Sequence, residues 1–202
     1  WSTTGVPAGG SASFSVNGSN GAKSTTATFT EAGDYTFMVS ISDGTNTVTD
    51  SVTVTVDQTL TSIGVSPASA ALNENDTEPF SATAFDQFHA AMATQPGFTW
   101  TKTAGIGTVS SSGLYSAPGA AVTATVTATS GSVNGQATVN VSNAAPTVAS
   151  AAQASPSLVT GASTTLSVLG ADDGGEADLT YTWTATGVPA GGSASFSTNA
   201  SN

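Results

Sequence analysis

The densest group of side chains with chemistry to offer is the run GADDGGEAD, Gly170 to Asp178, which carries Asp172, Asp173, Glu176 and Asp178. Carboxylates this close repel one another, and what suits them is a hard cation: Ca2+ takes six to eight oxygen ligands at short range. The spacing follows no EF-hand loop. The plain alternative is a solvated acidic turn in which Gly174 and Gly175 make the bend.

Other chemistry finds less material. His89 is the sole histidine and there is no cysteine, so thiol chemistry and disulfides are excluded and no Ser/His/Asp arrangement assembles around the histidine. The expectation is therefore a protein that is not an enzyme, and any metal site in it is oxygen-rich. A Lys to Asn isopeptide bond needs a buried acid beside both partners; Lys102 falls on a strand and Lys23 in a turn, which does not favour it. Sequons at Asn17, Asn75, Asn140 and Asn199 permit N-glycosylation in a host with that machinery.

Charge narrows the partners. Thirteen acidic residues against two lysines and no arginine leave a net charge of −11, which argues against nucleic acid and against anionic lipid. Only 7% of the residues are charged, far below the roughly 25% of an average globular chain. Abundant Ser, Thr, Gly and Ala with few tryptic sites suit a secreted or surface-exposed protein. No apolar run approaches the roughly eighteen residues that a membrane-spanning helix takes.

The elements that would hold these residues are strands. In DYTFMVSIS, Tyr35, Phe37, Val39 and Ile41 alternate with small or polar residues, so one face is large and apolar. DGTN, Asp43 to Asn46, then supplies a hairpin turn into TVTDSVTVTV, Thr47 to Val56. Further strands are expected at Leu60 to Pro67, Glu78 to Asp86, Gly97 to Thr103, Gly107 to Gly119, Ala121 to Ser130, Gly135 to Ser142, Ser163 to Gly170 and Leu179 to Thr186. Short strands punctuated by Gly, Pro and Ser turns predict an all-β fold of sandwiches. The one cluster that might turn as a helix, Phe88 to Ala93, is too short to form one.

A self-match sets the organisation. WSTTGVPAGGSASFSVNGSN, Trp1 to Asn20, aligns without a gap on WTATGVPAGGSASFSTNASN, Trp183 to Asn202, with sixteen of twenty positions identical at an offset of 182. A match at a fixed long offset marks a repeated unit, so the chain is expected to be slightly more than one period of a longer array.

The residues also carry a resemblance. Leu60 to Ser142, with IGVSPASAAL, FSATAFDQF, FTW and GTVSSSGLYSAPG, resembles the group 2 bacterial immunoglobulin-like domains found in tandem on bacterial surface proteins. LSVLGADDGGEADLTYTW together with ATFTEAGDYTFMVSISDG and DSVTVTV resembles PKD-like or cadherin-like immunoglobulin-type repeats, but the first part of that domain stands after the second. The self-match resolves the inversion, because Pro146 to Thr182 continues into the equivalents of Trp1 to Asp57 and makes a domain of 94 residues.

The resemblance thus implies three segments: 1–57, the C-terminal part of a PKD-like sandwich; 58–142, a group 2-like sandwich; and 143–202, the N-terminal part of the next PKD-like sandwich. Connections of three or four residues imply a semi-rigid rod with a period of ~70–80 Å. In such a sandwich the acidic run lies at the same end as the hairpin holding Asp43 and beside the linker Asn143 to Pro146. A Ca2+ ion held by Asp172, Asp173, Glu176, Asp178 and Asp43 would then stiffen the joint, as in cadherin-like repeats.

The implied function is a structural repeat unit of an extracellular fibre, stalk or filament, whose partners are neighbouring copies of the repeat in the same chain, head-to-tail or lateral. The alternative is an adhesin or a carbohydrate-binding spacer module that meets surface glycans through Trp1, Trp100, Trp183, Tyr35, Tyr115 or Tyr181. Core packing is the expected use of Trp100 and Trp183, each in the strand where a sandwich places a buried tryptophan.

Overall fold

The computed structural model describes the whole chain, Trp1 to Asn202, as sixteen strands and two single turns of 3-10 helix. The all-β expectation holds, and no helix is long and apolar enough to cross a membrane. The chain divides into two compact units, one of residues 1–65, 82–99 and 128–135, the other of residues 66–81, 100–127 and 136–202.

In the first unit, β1 (Ser2–Gly5), β4 (Gly33–Ser42) and β5 (Thr47–Val56) form an antiparallel sheet in the order β1-β4-β5, and β2 (Ala12–Phe14) pairs with β3 (Ala27–Phe29). The alternation in β4 does what its sequence dictates, since Tyr35 and Phe37 are buried while Thr36 and Met38 are not. Phe14 meets Phe37 edge-on at 5.4 Å between ring centroids, and Phe29 lies 4.8 Å from Tyr35, so β2 and β3 cover the large face of β4. The 43–46 turn closes as the sequence predicts: Asp43 Oδ1 accepts hydrogen bonds from the Thr45 and Asn46 amides at 2.8 and 2.7 Å. Burial stops short of the turn, where Ile41 and Val48 are 60% and 64% exposed.

The second unit has β7 (Ser69–Asn73), β8 (Thr77–Pro79), β11 (Thr108–Val109), β12 (Leu114–Ser116), β15 (Thr147–Ser155) and β16 (Thr165–Ala171). The order β11-β12-β8 makes one small sheet, and β15-β16 stands as a separate hairpin. The largest sheet runs β10 (Thr99–Ala104), β13 (Val122–Ser130), β14 (Val133–Ser142), β7; the pair β6 (Ser62–Ser66) and β9 (Ser81–Phe85) belongs, but for Ser66 and Ser81, to the first unit. Strand β14 is a period-two strand in which Ala137, Val139 and Val141 are buried and Gln136, Thr138 and Asn140 are exposed. Its partner β7 runs parallel to it, from Thr138 opposite Ser69 to Ser142 opposite Asn73. Antiparallel β15 and β16 pair from Thr147 opposite Ala171 to Ser155 opposite Thr165.

The motif GTVSSSGLYSAPG is a packing device around Trp100. Gly113 adopts φ +85°, its carbonyl accepts from the Phe80 amide at 2.9 Å, and a Cβ there would lie 2.5 Å from the Phe80 carbonyl oxygen and 2.9 Å from the Trp100 indole. Tyr115 is fully buried two residues on, and its hydroxyl donates to the Ile106 carbonyl at 2.7 Å.

Three expectations change. Gly107 to Gly119 is not one strand but the antiparallel pair β11 and β12, joined by a turn in which the Gly113 amide donates to the Ser110 carbonyl at 3.1 Å. Phe80 divides the expected strand Glu78 to Asp86, because its amide turns to Gly113 and sends β8 and β9 to different sheets. Leu179 to Thr186 is not a strand: Tyr181 makes a single bridge to Ser201, and the remainder has no neighbour to pair with.

The Gly113 geometry predicts that Gly113→Ala destabilises the chain by about 3 kcal/mol, since left-handed strain and overpacking coincide. Tyr115→Phe, which deletes one buried hydroxyl and orphans one carbonyl, costs about 1–2 kcal/mol. Urea unfolding followed by tryptophan fluorescence checks both values and their order.

Candidate functional site

Two strand registers build one junction within the second unit. Because β7 is parallel to β14, the turn after Asn73 and the linker after Ser142 emerge at the same end. Because Thr147 pairs with Ala171, the turn after Ala171 returns to that linker from the other side. Residues far apart in the chain, Glu74, Ala144 and Asp173, are thereby neighbours.

The turn at Asn73 to Asp76 is held by its own side chains. Asp76 Oδ2 accepts from the Asn73 amide at 3.0 Å, and Asn75 takes the left-handed conformation at φ +63°. Asn75 Nδ2 donates to the Asp173 carbonyl at 2.6 Å, and the Glu74 and Ala144 amides both donate to Asp173 Oδ2, at 3.1 and 3.2 Å. Asp173 thus ties three segments together with one of its two carboxylate oxygens.

The other oxygen is unserved. Asp173 Oδ1 and Asp172 Oδ1 are both buried without a hydrogen-bond partner. Glu74 is only 7% exposed, and its carboxylate points into the same place: a Cβ on Gly174 would lie 2.9 Å from Glu74 Oε2, 3.3 Å from Asp172 Oδ2 and 3.9 Å from Asp178 Oδ2. Burial, followed by the charges of Asp173 and Asp172, pushes the Glu74 carboxyl above the usual carboxylate range, against a smaller opposing pull from the Ala121 amide. These carboxylates do not stand as a closed metal-ligand set.

Of the residues singled out in the sequence, the junction gathers Asp172, Asp173 and Asp178. Glu176 is turned elsewhere, accepting from the Tyr181 hydroxyl at 3.0 Å. Asp43 lies in the other unit, where amides of its own turn draw its carboxyl below the usual range. Glu74 escaped sequence reasoning because the alternating acids of NENDTEP, Glu74, Asp76 and Glu78, read as solvated turn residues, and only the parallel β7–β14 register brings Glu74 in.

Asp86 shows what a satisfied buried acid looks like. It is fully buried in the first unit, yet Gln58 Nε2 and the Phe88 and Ala90 amides donate to it at 2.9, 2.9 and 3.0 Å. Burial alone would raise its pKa; those donors and the nearby His89 outweigh burial and hold it below the usual range. Lys102 donates to the Gly105 carbonyl at 2.6 Å rather than to an asparagine. Trp1, Trp100 and Trp183 are all half-buried, so neither Trp100 nor Trp183 is the fully buried core residue expected.

The duplicated ends share one local structure. Asn17 accepts from the Trp1 nitrogen at 2.7 Å and donates to the Trp1 carbonyl at 2.8 Å; Asn199 does the same with Trp183 at 2.6 and 2.9 Å. Trp1 stands 6.4 Å from Phe14, and Trp183 stands 6.5 Å from Phe196. The Pro7 to Gly10 turn closes at 2.9 Å and its copy, Pro189 to Gly192, at 2.8 Å.

Fold and site together define an all-β chain of several small sheets with an acidic junction. No protein-family model matches it, and no curated protein does. Among solved structures it is similar to the S-layer protein SbsC. Domains 4 and 5 of that protein match at 24% identity over 58% of this chain and 62% of that one, with a TM-score of 0.39. Domains 1–6 match at 25% identity over 61% and 18%, with a TM-score of 0.41, and domains 4–9 at 20% identity over 75% and 26%, with a TM-score of 0.39. The chain spans less than two thirds of the length of each.

The Glu74 environment has a pH signature. The folded chain binds that proton more tightly than the unfolded chain, so its contribution to stability is complete below the ordinary value of 4.5 and is lost as pH rises through the raised folded value. In metal-free buffer, with Asp172, Asp173 and Asp178 facing it, Glu74→Gln is expected to raise the melting temperature at pH 7 by a few degrees and to flatten its fall above pH 4.5. Thermal melts from pH 4 to 8 in chelator test this; a variant less stable than the parent at pH 7 refutes it.

Proposed function

We propose that the chain is a structural repeat unit of an extracellular or cell-surface fibre, stalk or filament built from tandem immunoglobulin-like domains, without catalysis. One observation carries the reading: the same twenty-residue half-motif keeps its Trp–Asn clamp and its Pro–Gly turn in both copies, yet pairs into sheets in only one. In the first copy, β1 lies against β4, with Ser2 opposite Met38 and Thr3 opposite Phe37. The second copy has the sequence and the local shape to do the same with an equivalent of β4 in a following repeat.

The apolar surfaces support this. A two-stranded hairpin is marginal in water unless a face is covered, but β15 is exposed along its length and Val148 and Leu158 are 70% and 85% exposed. Pro146, Val148, Val168, Leu179 and Tyr181 line an open cleft of about 240 Å³ on that hairpin. These are the parts of a sandwich core that lacks its second sheet. In the tandem reading, the equivalents of β1 to β5 in the next repeat supply it, and segments 1–57, 58–142 and 143–202 are a half, a whole and a half domain.

The completing half can be added covalently. A chain carrying a second copy of Gly21 to Asp57 after Asn202 is expected to melt higher than the parent, and its β15–β16 amides are expected to become protected from hydrogen exchange. Unchanged exchange in that hairpin refutes the domain assignment. Electron microscopy of the native material tests the array: an axial repeat of ~70–80 Å is expected, and compact particles without a repeat refute it.

A further inference from the structure

We propose that Glu74, Asp172, Asp173 and Asp178 together bind one Ca2+ ion, which locks the Asn73–Asp76 turn and the Ala171–Asp178 turn to the linker between β14 and β15. The ligand set differs from the one read from the sequence: Glu74 enters, and Glu176 and Asp43 leave. The site stands whether or not the chain belongs to a tandem array, since every residue in it comes from one unit of this chain.

The first support is the unmet demand for positive charge. Glu74, more than nine-tenths buried, is aimed at Gly174, where oxygens of Asp172 and Asp178 also converge. Two fully buried carboxylate oxygens, Asp172 Oδ1 and Asp173 Oδ1, have no donor. Buried carboxylates elsewhere in this chain are not left so, as the three donors around Asp86 demonstrate. A charge buried without a partner is costly unless it is paired, protonated or bound to a metal.

The second support is that the chain has nothing else to offer. Its only lysines are Lys23, in the 3-10 turn Asn20–Lys23, and Lys102, bound to the Gly105 carbonyl. A single proton neutralises one carboxylate of four, whereas a divalent ion neutralises two and accepts several oxygens at once. Four carboxylates, some bidentate, together with water supply the six to eight oxygens that Ca2+ takes at 2.3–2.6 Å. Mg2+ demands a tighter octahedron and gives up its water reluctantly, which suits a wide, loop-built cluster poorly.

The third support is the way the frame is held. Asp173 Oδ2 is fixed by the Glu74 and Ala144 amides and its carbonyl by Asn75, so Oδ1 is presented in a set direction. Gly174 leaves open the space between the carboxylates that a Cβ would enter. Closing the oxygens around an ion then takes side-chain rotation on a backbone already in position.

The test uses the full chain, stripped with chelator and titrated with CaCl2 or MgCl2 by calorimetry, with thermal melts alongside. One site is expected, with a melting temperature that rises in millimolar Ca2+. Glu74→Gln, Asp173→Asn and the exposed-site variant Asp178→Asn each weaken Ca2+ affinity at least tenfold while circular dichroism in chelator stays that of the parent. Glu176→Gln and Asp43→Asn keep parental affinity. The absence of heat and of any melting shift at millimolar Ca2+ overturns the proposal. So does binding that survives Glu74→Gln combined with Asp173→Asn, or binding lost in Glu176→Gln or Asp43→Asn. Equal affinity for Mg2+ overturns the assignment to calcium.

Discussion

The parallel pairing of β7 with β14 is the constraint on which the junction depends. Parallel neighbours end at the same edge, so Asn73 and Ser142, opposite one another in the register, deliver the Glu74 turn and the Ala144 linker to one place. An antiparallel pairing would have sent the turn to the far end of β14, and Asp173 would not have met the Glu74 amide. Pairing of β15 with β16 then brings Asp172 and Asp173 back to the linker. Three segments far apart in the chain meet because two ladders share an edge, not because any of them attracts the others; four carboxylates among them oppose the meeting.

That opposition gives the junction its character. Asp86 and Glu74 are both buried acids, and burial disfavours the charge on each. Amides and a glutamine aimed at Asp86 reverse the effect of burial, whereas Asp173 and Asp172 beside Glu74 reinforce it. A loop built around a satisfied carboxylate is a structural part. A junction that leaves carboxylate oxygens buried and unserved stores a demand for a proton or a cation, and it links the order of the joint to what the solvent supplies.

Legibility followed the size of the side chains. The β4–β5 hairpin was plain from Tyr35, Phe37 and the DGTN turn, because large apolar residues at period two on one side of a turn leave few alternatives. Strands β7 and β15 were not, since SAALN and TVASAAQAS are made of small residues with little contrast between faces, and their pairing is decided by neighbours. The acidic run was visible as a cluster, and three of its four carboxylates do converge. Glu74 was invisible, because its place depends on a parallel register that no local pattern encodes, and Asp43 was assigned by analogy of sandwich ends.

The duplicated stretch separates the two levels of information. Identical residues make the same Trp–Asn clamp, the same Pro–Gly turn with Gly9 and Gly191 at φ +79° and +78°, and the same Trp–Phe contact in both copies. Those features close within twenty residues, so short-range sterics and hydrogen bonds suffice and the sequence alone determines them. Strand character differs: residues 2–5 and 12–14 are strands, while their equivalents after Trp183 are not. A strand exists through the backbone groups of its partner, and only the tertiary structure decides whether that partner is present.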